Sequence, residues 1–369
     1  MKYLRGIGII VGLMFGAGIF ALPYTVLKSG VLWGLIHFFV ALFLIIFLHL
    51  LYAEISFRAG DGHRFVGYVR MLLGEKYKSS ALFITLASYY GTLLAYGVLG
   101  GIFLSNFFEE KPVFFATLAF FVFGSLFLLL KMGNIAFLNF CLSIPLFVFV
   151  VILAFLLFPS FDTANFHLLP QNEIAGNSNW FLPYGVWIFA LSALAVIPDA
   201  RDLFRSSSVR NLKRVVLASI FLCAAAYLLF TFAVLGSSGL ETSDDALSGL
   251  SGILGSKIIL AGSIMGFLAV FTSFLALGFD LLQIFRFDFK ISKTASWFLA
   301  IAPPLLFFLL GFHNFGKIIG VVGTIGIGFT GFLVILMGWK SRKNFWIAGV
   351  LASLAIFAAV AYEVFNIFF

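Results

Sequence analysis

The chain has 369 residues, 62% of them apolar and 10% charged, with a mean hydropathy of +1.13 and a formal net charge of +8. Soluble domains are about half apolar and about a quarter charged, so this composition excludes a soluble enzyme, a disulfide-stapled secreted scaffold and a nucleic-acid binder. It describes an all-α integral membrane protein, in which Cys141 and Cys223 lie within apolar runs and read as small core residues rather than disulfide or zinc partners.

A helix rises about 1.5 Å per residue, so crossing a hydrocarbon core of about 30 Å takes about 20 apolar residues. Eleven segments qualify: 7–27, 31–57, 79–106, 113–131, 134–158, 182–204, 213–236, 257–283, 295–311, 316–339 and 345–367. The first is too long for a signal peptide and carries Gly and Pro through its middle, which marks a retained helix. With the N-terminus in the cytoplasm, only Lys28, Lys111, Lys257 and Lys317 of the 23 Lys and Arg fall outside. That bias predicts an N-in, C-out topology and makes the basic surplus topological. The inner loop from Arg58 to Lys78 reads as an amphipathic stretch, with Phe65, Val66, Tyr68, Val69, Leu72 and Leu73 apolar. No linker divides the chain, so residues 1–369 read as a single domain.

Two spans are interrupted. The first reads Gly12-Leu-Met-Phe-Gly16-Ala-Gly18-Ile-Phe-Ala-Leu-Pro23, and the sixth reads Trp187-Ile-Phe-Ala-Leu-Ser192-Ala-Leu-Ala-Val-Ile-Pro198. In lipid, freed backbone groups are tolerated only where they face protein, water or a ligand. An offset of five spans inserts the two units in opposite senses, giving an inverted repeat of 7–158 and 182–339 plus an additional helix, 345–367, with a site at the midplane. Freed amides at the positive end of a helix fragment suit a carboxylate, whereas freed carbonyls suit an ammonium group or a sodium ion. A zwitterionic amino acid needs both. The amides around Ala17 and Gly18, between Gly16 and Ile19, would hold the carboxylate. The carbonyls of Phe15, Phe189 and Ala190 would hold the amine, with Ser192 and Ala193 lining the centre and Phe189 covering the site. Tyr89, Tyr90 and Tyr96 carry hydroxyls at membrane depth that need partners; Tyr96 joins the substrate site.

Three stretches carry a family resemblance: Gly16-Ala-Gly-Ile-Phe-Ala-Leu-Pro23, Thr272-Ser-Phe-Leu-Ala-Leu-Gly-Phe-Asp280, and Tyr52-Ala-Glu-Ile-Ser-Phe-Arg58 followed by His63-Arg-Phe-Val-Gly-Tyr68 and Leu73-Gly74. In these the chain resembles the amino acid/auxin permease branch of the amino acid, polyamine and organocation transporters, particularly the bacterial aromatic amino acid permeases. The resemblance implies a leucine-transporter-type 5+5 fold and ion-coupled secondary transport. Ser192-Ala-Leu-Ala195 departs from it, standing where a Gly-rich centre is expected. In related transporters of this fold an A-x-x-T-S arrangement holds sodium. Here Ala269, Thr272 and Ser273 would combine with the carbonyls of Gly12 and Phe15 into five neutral oxygens. Several aromatic permeases with the same Thr-Ser pair are regarded as proton symporters, so both ions stay open.

The five histidines show no HxxxH or HExxH spacing, and neither GxxxxGK[ST] nor GxSxG occurs, so no metalloenzyme, ATPase, serine hydrolase or organic cofactor is expected. Glu54 and Asp280 are the deepest acids, each about the 24th residue of a helix descending to the cytoplasm. A charge at the bilayer centre costs about 2.5–3.5 kcal/mol. The interface, with Arg58 one turn from Glu54, makes an ion pair the first reading and an inner gate or proton relay the second. These observations predict a symporter of neutral, large apolar or aromatic amino acids working by alternating access. It would sit in a prokaryotic plasma membrane as a monomer or loose homodimer. A membrane sensor that binds without turnover would want a substantial cytoplasmic domain, and no inner loop exceeds about 21 residues.

Overall fold

A computed structural model describes residues 2–59, 64–108, 112–129, 135–170, 180–341 and 346–368. His63, Lys111, Lys131, Arg342, Lys343 and the side chain of Cys141 lie outside that description. No strand occurs among the described residues. An apolar solvent dictates this, because a helix satisfies its own backbone groups and an open sheet edge does not. Seven helical stretches are long and apolar enough to cross a membrane, and the bent pair Lys2–Met14 and Gly18–Ser29, at 51°, passes the same test as one span. Shorter apolar helices occupy Val113–Leu128, Ile144–Ser160 and Lys293–Leu309.

In chain order the helices are α1 (Lys2–Met14), α2 (Gly18–Ser29), α3 (Val31–Ala59), α4 (Phe65–Leu73), α5 (Lys78–Ser105), α6 (Val113–Leu128) and α7 (Ile135–Leu157). There follow α8 (Leu182–Leu191), α9 (Ile197–Leu203), α10 (Val209–Ser238), α11 (Ser251–Leu254), α12 (Ser256–Gln283), α13 (Lys293–Leu309), α14 (Phe315–Val321), α15 (Gly328–Ser341) and α16 (Trp346–Phe368). A π-helical turn, Val322–Ile327, joins α14 to α15. The amphipathic stretch after α3 is α4, which buries Val66, Tyr68 and Val69.

The interrupted helices occupy the middle of the bundle. α2 packs on α8 and α10, α1 on α7 and α10, and α8 also on α3 and the π turn, while α5 packs on α6 and α12. One contiguous apolar cluster fills the space between them, with Phe15, Phe20, Trp187 and Tyr227 fully buried. The outside is equally apolar: Phe39, Phe83, Phe115 and Phe155 are 63–79% exposed. Water would penalise such a surface and lipid does not. At one end of the bundle, the loop after α7 satisfies the start of α3, as Val31 and Leu32 donate their amides to the carbonyls of His167 and Leu168 at 2.9 and 3.1 Å.

Candidate substrate and ion site

The first break runs over Phe15, Gly16 and Ala17, between α1 and α2. Neither Gly16 nor Gly18 has a positive φ. Their small size serves proximity. A Cβ on Gly18 would lie 2.7 Å from Ala190 Cα, and one on Gly16 would lie 2.9 Å from Ser273 Oγ. Gly18 is thus where the two interrupted helices touch.

The second break has no glycine. Ser192 (φ −87°, ψ 130°) and Ala193 (φ −136°, ψ 31°) leave the helix in conformations any residue can adopt, and a 3-10 turn at Leu194–Val196 leads into α9. Pro198 sits in the first turn of α9, where a missing amide costs nothing, so it starts the second fragment and does not end the first.

Side chains from elsewhere hold this break. His49 on α3 has Nδ1 2.8 Å from the Ile45 carbonyl, which can only accept, so Nδ1 carries the proton. Nε2 then accepts the Ala193 amide at 2.8 Å. The Tyr227 hydroxyl on α10 makes a short hydrogen bond to the Met14 carbonyl, at the end of α1, and lies 3.2 Å from the Ala190 carbonyl, near the end of α8. One phenol therefore ties together the two carbonyl-rich helix ends. The amide-rich start of α2 lies against the same residue, Ala190, through Gly18.

A cavity opens beside this meeting point. It brings together Ala17, Gly18, Tyr96, Phe189, Ala190, Ser192 and Ala193 of the residues selected from the sequence. Tyr96 and Phe189 meet edge-to-face at 6.3 Å. Phe15, Gly16 and Ile19 do not line the cavity. Phe15 stacks on Tyr227 at 5.5 Å, Gly16 abuts Ser273, and Ile19 is fully buried in the core. The remaining wall includes Thr85, Ser88, Tyr89 and Thr92 of α5 and Thr330 of α15. Of these, sequence reasoning singled out only Tyr89, and it missed His49 and Tyr227. The available signal was a polar side chain inside an apolar span, which needs a partner. Tyr90 lies apart, donating to the Leu299 carbonyl at 2.8 Å.

For the ion, Thr272 Oγ1 donates back to the carbonyls of Leu268 (3.0 Å) and Ala269 (3.1 Å), which leaves its lone pairs for a cation. Ser273 Oγ is buried beside Gly16 and has no hydrogen-bond partner; the Tyr96 hydroxyl stands nearby without hydrogen-bond geometry. Gly12 is buried in α1, one turn before the break. Among the described residues, no group of three His, Cys, Asp or Glu could hold a metal.

Glu54 and Asp280 sit at the end of the bundle that holds Arg58 and Arg64. Glu54 pairs with Arg58 at 2.8 Å and Lys213 at 2.7 Å, away from the substrate cavity. Asp280 accepts from Tyr89 at 2.8 Å and lies 3.8 Å from Arg64, which also pairs with Asp199 of α9 at 2.7 Å. Burial disfavours the Arg64 charge, but Asp199 and Asp280 outweigh it and raise its pKa. Tyr89, which donates to Asp280, and Phe65, the neighbour of Arg64, both line the cavity, so the Arg64 cluster adjoins it.

The fold is similar to that of MhsT in complex with L-phenylalanine, with a TM-score of 0.74 and 16% identity over 97% of this chain and 98% of that one. At that identity the likeness speaks for the fold alone. No curated protein matches the chain in sequence. The pattern of the tryptophan/tyrosine permease family matches residues 1–354, a range that contains both breaks and every residue lining the cavity. The chain belongs to the tryptophan/tyrosine permease family and is a multi-pass membrane protein of amino acid transport.

Proposed function

We propose that this permease is a symporter that couples the entry of large apolar and aromatic amino acids to an inward ion gradient, with sodium as the ion, in a prokaryotic plasma membrane. The observation that carries the reading is the convergence of two helix breaks on one cavity, with Gly18 packed on Ala190. The first turn of α2 has amides without intrahelical partners and a positive dipole end, which suits a carboxylate. The carbonyls ending α1 and α8 suit an ammonium group. Tyr96 and Phe189 cover the cavity as a pair. Opening it alternately, past Tyr96 and Phe189 and past the Arg64 cluster, would move the substrate across.

The inverted repeat is part of the same reading, and paired element lengths support it. After the interrupted helices, α3 and α10 have 29 and 30 residues, α5 and α12 have 28 each, and α6 and α13 have 16 and 17. The short helices α4 and α11 follow the second element of each unit. An N-in, eleven-span topology follows from the distribution of Lys and Arg, and a place in the wider amino acid/auxin permease branch is consistent with the family.

For coupling, the buried Ser273 hydroxyl beside the first break and the lone pairs left to Thr272 support sodium. One charge moving through 100 mV releases about 2.3 kcal/mol, enough for about 40-fold accumulation. Uptake of tryptophan and phenylalanine into proteoliposomes is the test, with either a sodium gradient at equal pH or a pH gradient without sodium. Accumulation should follow sodium and be lost in Thr272→Ala with Ser273→Ala. Accumulation that ignores sodium and follows pH would assign the proton instead. Binding without accumulation under either gradient would make the protein a sensor.

A further inference from the structure

A second cavity, of about 260 Å³, lies between the C-terminal ends of α3 and α15 and shares no lining residue with the substrate cavity. At its closed end the helices touch, since a Cβ on Gly338 would lie 2.8 Å from Leu51 Cδ2. Nearer the helix termini, Arg58 and Ser341 are exposed and form its mouth. Leu51 and Ile55 of α3 and Leu72 of α4 make the wall apolar. Three polar side chains line it, and only one of them is a cation. The Glu54 carboxylate accepts, and the Ser341 hydroxyl donates to the Met337 carbonyl at 2.7 Å, which leaves it lone pairs alone. Arg58 is therefore the group that an anion would meet.

The charges in this cluster leave a surplus. Glu54 is held from two sides, Oε1 by Arg58 at 2.8 Å and Oε2 by Lys213 of α10 at 2.7 Å, so one carboxylate faces two cations. The more exposed of the two cations is Arg58, whose side chain is half exposed. If Arg58 turned to another anion, Glu54 would keep Lys213, and an exposed ion pair contributes little to begin with. A guanidinium above apolar walls suits a ligand with anionic oxygens and a hydrocarbon body. On the proposed N-in topology this end meets the inner leaflet, where such headgroups lie. α4 buries Val66, Tyr68 and Val69 and exposes Arg70 and Met71, as a helix lying at that surface does. Pockets for drug-sized ligands run from about 300 to 1,000 Å³, so this smaller one suits a headgroup whose chains stay in the bilayer. We propose that the Arg58 cavity binds one anionic glycerophospholipid, with its phosphate on the Arg58 guanidinium and the start of its chains against Ile55 and Leu72.

The test is titration of the purified full-length protein in detergent with phosphatidylglycerol or phosphatidylcholine, counting bound lipids by native mass spectrometry. Thermal unfolding is followed with the same lipids and with inorganic phosphate. The wild type should hold one phosphatidylglycerol in preference to phosphatidylcholine, and inorganic phosphate should not stabilise it. Arg58→Gln should weaken phosphatidylglycerol binding about fivefold, as expected for one basic residue at an anionic surface. Arg58→Lys, which keeps the charge, should retain most of it. Arg214→Gln removes an exposed charge from the start of α10, outside the cavity, and should change nothing. Because the two lipids are compared within each variant, a general loss of stability cannot imitate the result. Equal weakening in Arg58→Gln and Arg214→Gln would overturn the site in favour of a general attraction between basic residues and anionic lipid. Equal binding of phosphatidylcholine would overturn it too, and stabilisation by inorganic phosphate as large as that by phosphatidylglycerol would replace the lipid with a free anion.

Discussion

The two helix breaks reach the same result by different means. The first is written locally: Gly16 and Gly18 have no side chains, so the chain can leave the helix while α12 and α8 press close. At the second, Ser192 and Ala193 have ordinary torsions, and the bend is held by the His49 ring and the Tyr227 hydroxyl. A helix can thus be opened by removing atoms or by supplying hydrogen-bond partners. The first means constrains the residues at the break, and the second constrains residues on other helices.

That contrast sets an order of expected effects, each measurable by thermal unfolding of purified protein in detergent. Gly18→Val should be the most damaging, at about 3 kcal/mol, because the new atoms meet Ala190 backbone that cannot move aside. Stability and substrate affinity near wild type in that variant would show that the two helices do not depend on this contact. His49→Leu should cost about 2 kcal/mol, since it leaves the buried Ala193 amide without an acceptor. If it proves neutral, the second break is not held from α3. Tyr227→Phe should cost about 1 kcal/mol, as the Met14 and Ala190 carbonyls lose a shared donor but keep their other lone pairs. A glycine placed at the second break, Ser192→Gly, should destabilise by about 0.5 kcal/mol through unfolded-state entropy, because the native torsions do not need it. A gain in stability there would erase the distinction between the two breaks. Smallest of all, Arg58→Ala should cost about 0.5 kcal/mol or less, because the guanidinium is half exposed and Lys213 still pairs with Glu54.

The charged end offers a related lesson. Glu54 and Asp280 read alike in the sequence, as acids near the end of a descending span. In the structure Glu54 is neutralised by Arg58 and Lys213 away from the cavity, whereas Asp280 meets Tyr89, whose ring lines it. Equal depth did not mean equal position, because which side of a helix faces the site depends on its neighbours. The substrate residues show the same effect. Ala17 and Gly18 line the cavity while Phe15 and Ile19, one or two positions away, turn into the core.

What the sequence determined by itself is a bundle of apolar helices whose first member opens around Gly16 and Gly18. Apolarity, helix length and the absence of a side chain are properties of contiguous residues, and lipid leaves such residues only one way to satisfy their backbone. What the tertiary structure alone decided is who completes the site. His49 reaches Ala193 across 144 positions and Tyr227 reaches Met14 across 213. No local pattern encodes such partners, because a buried amide or carbonyl accepts whichever complementary group the packing of distant helices brings within about 3 Å.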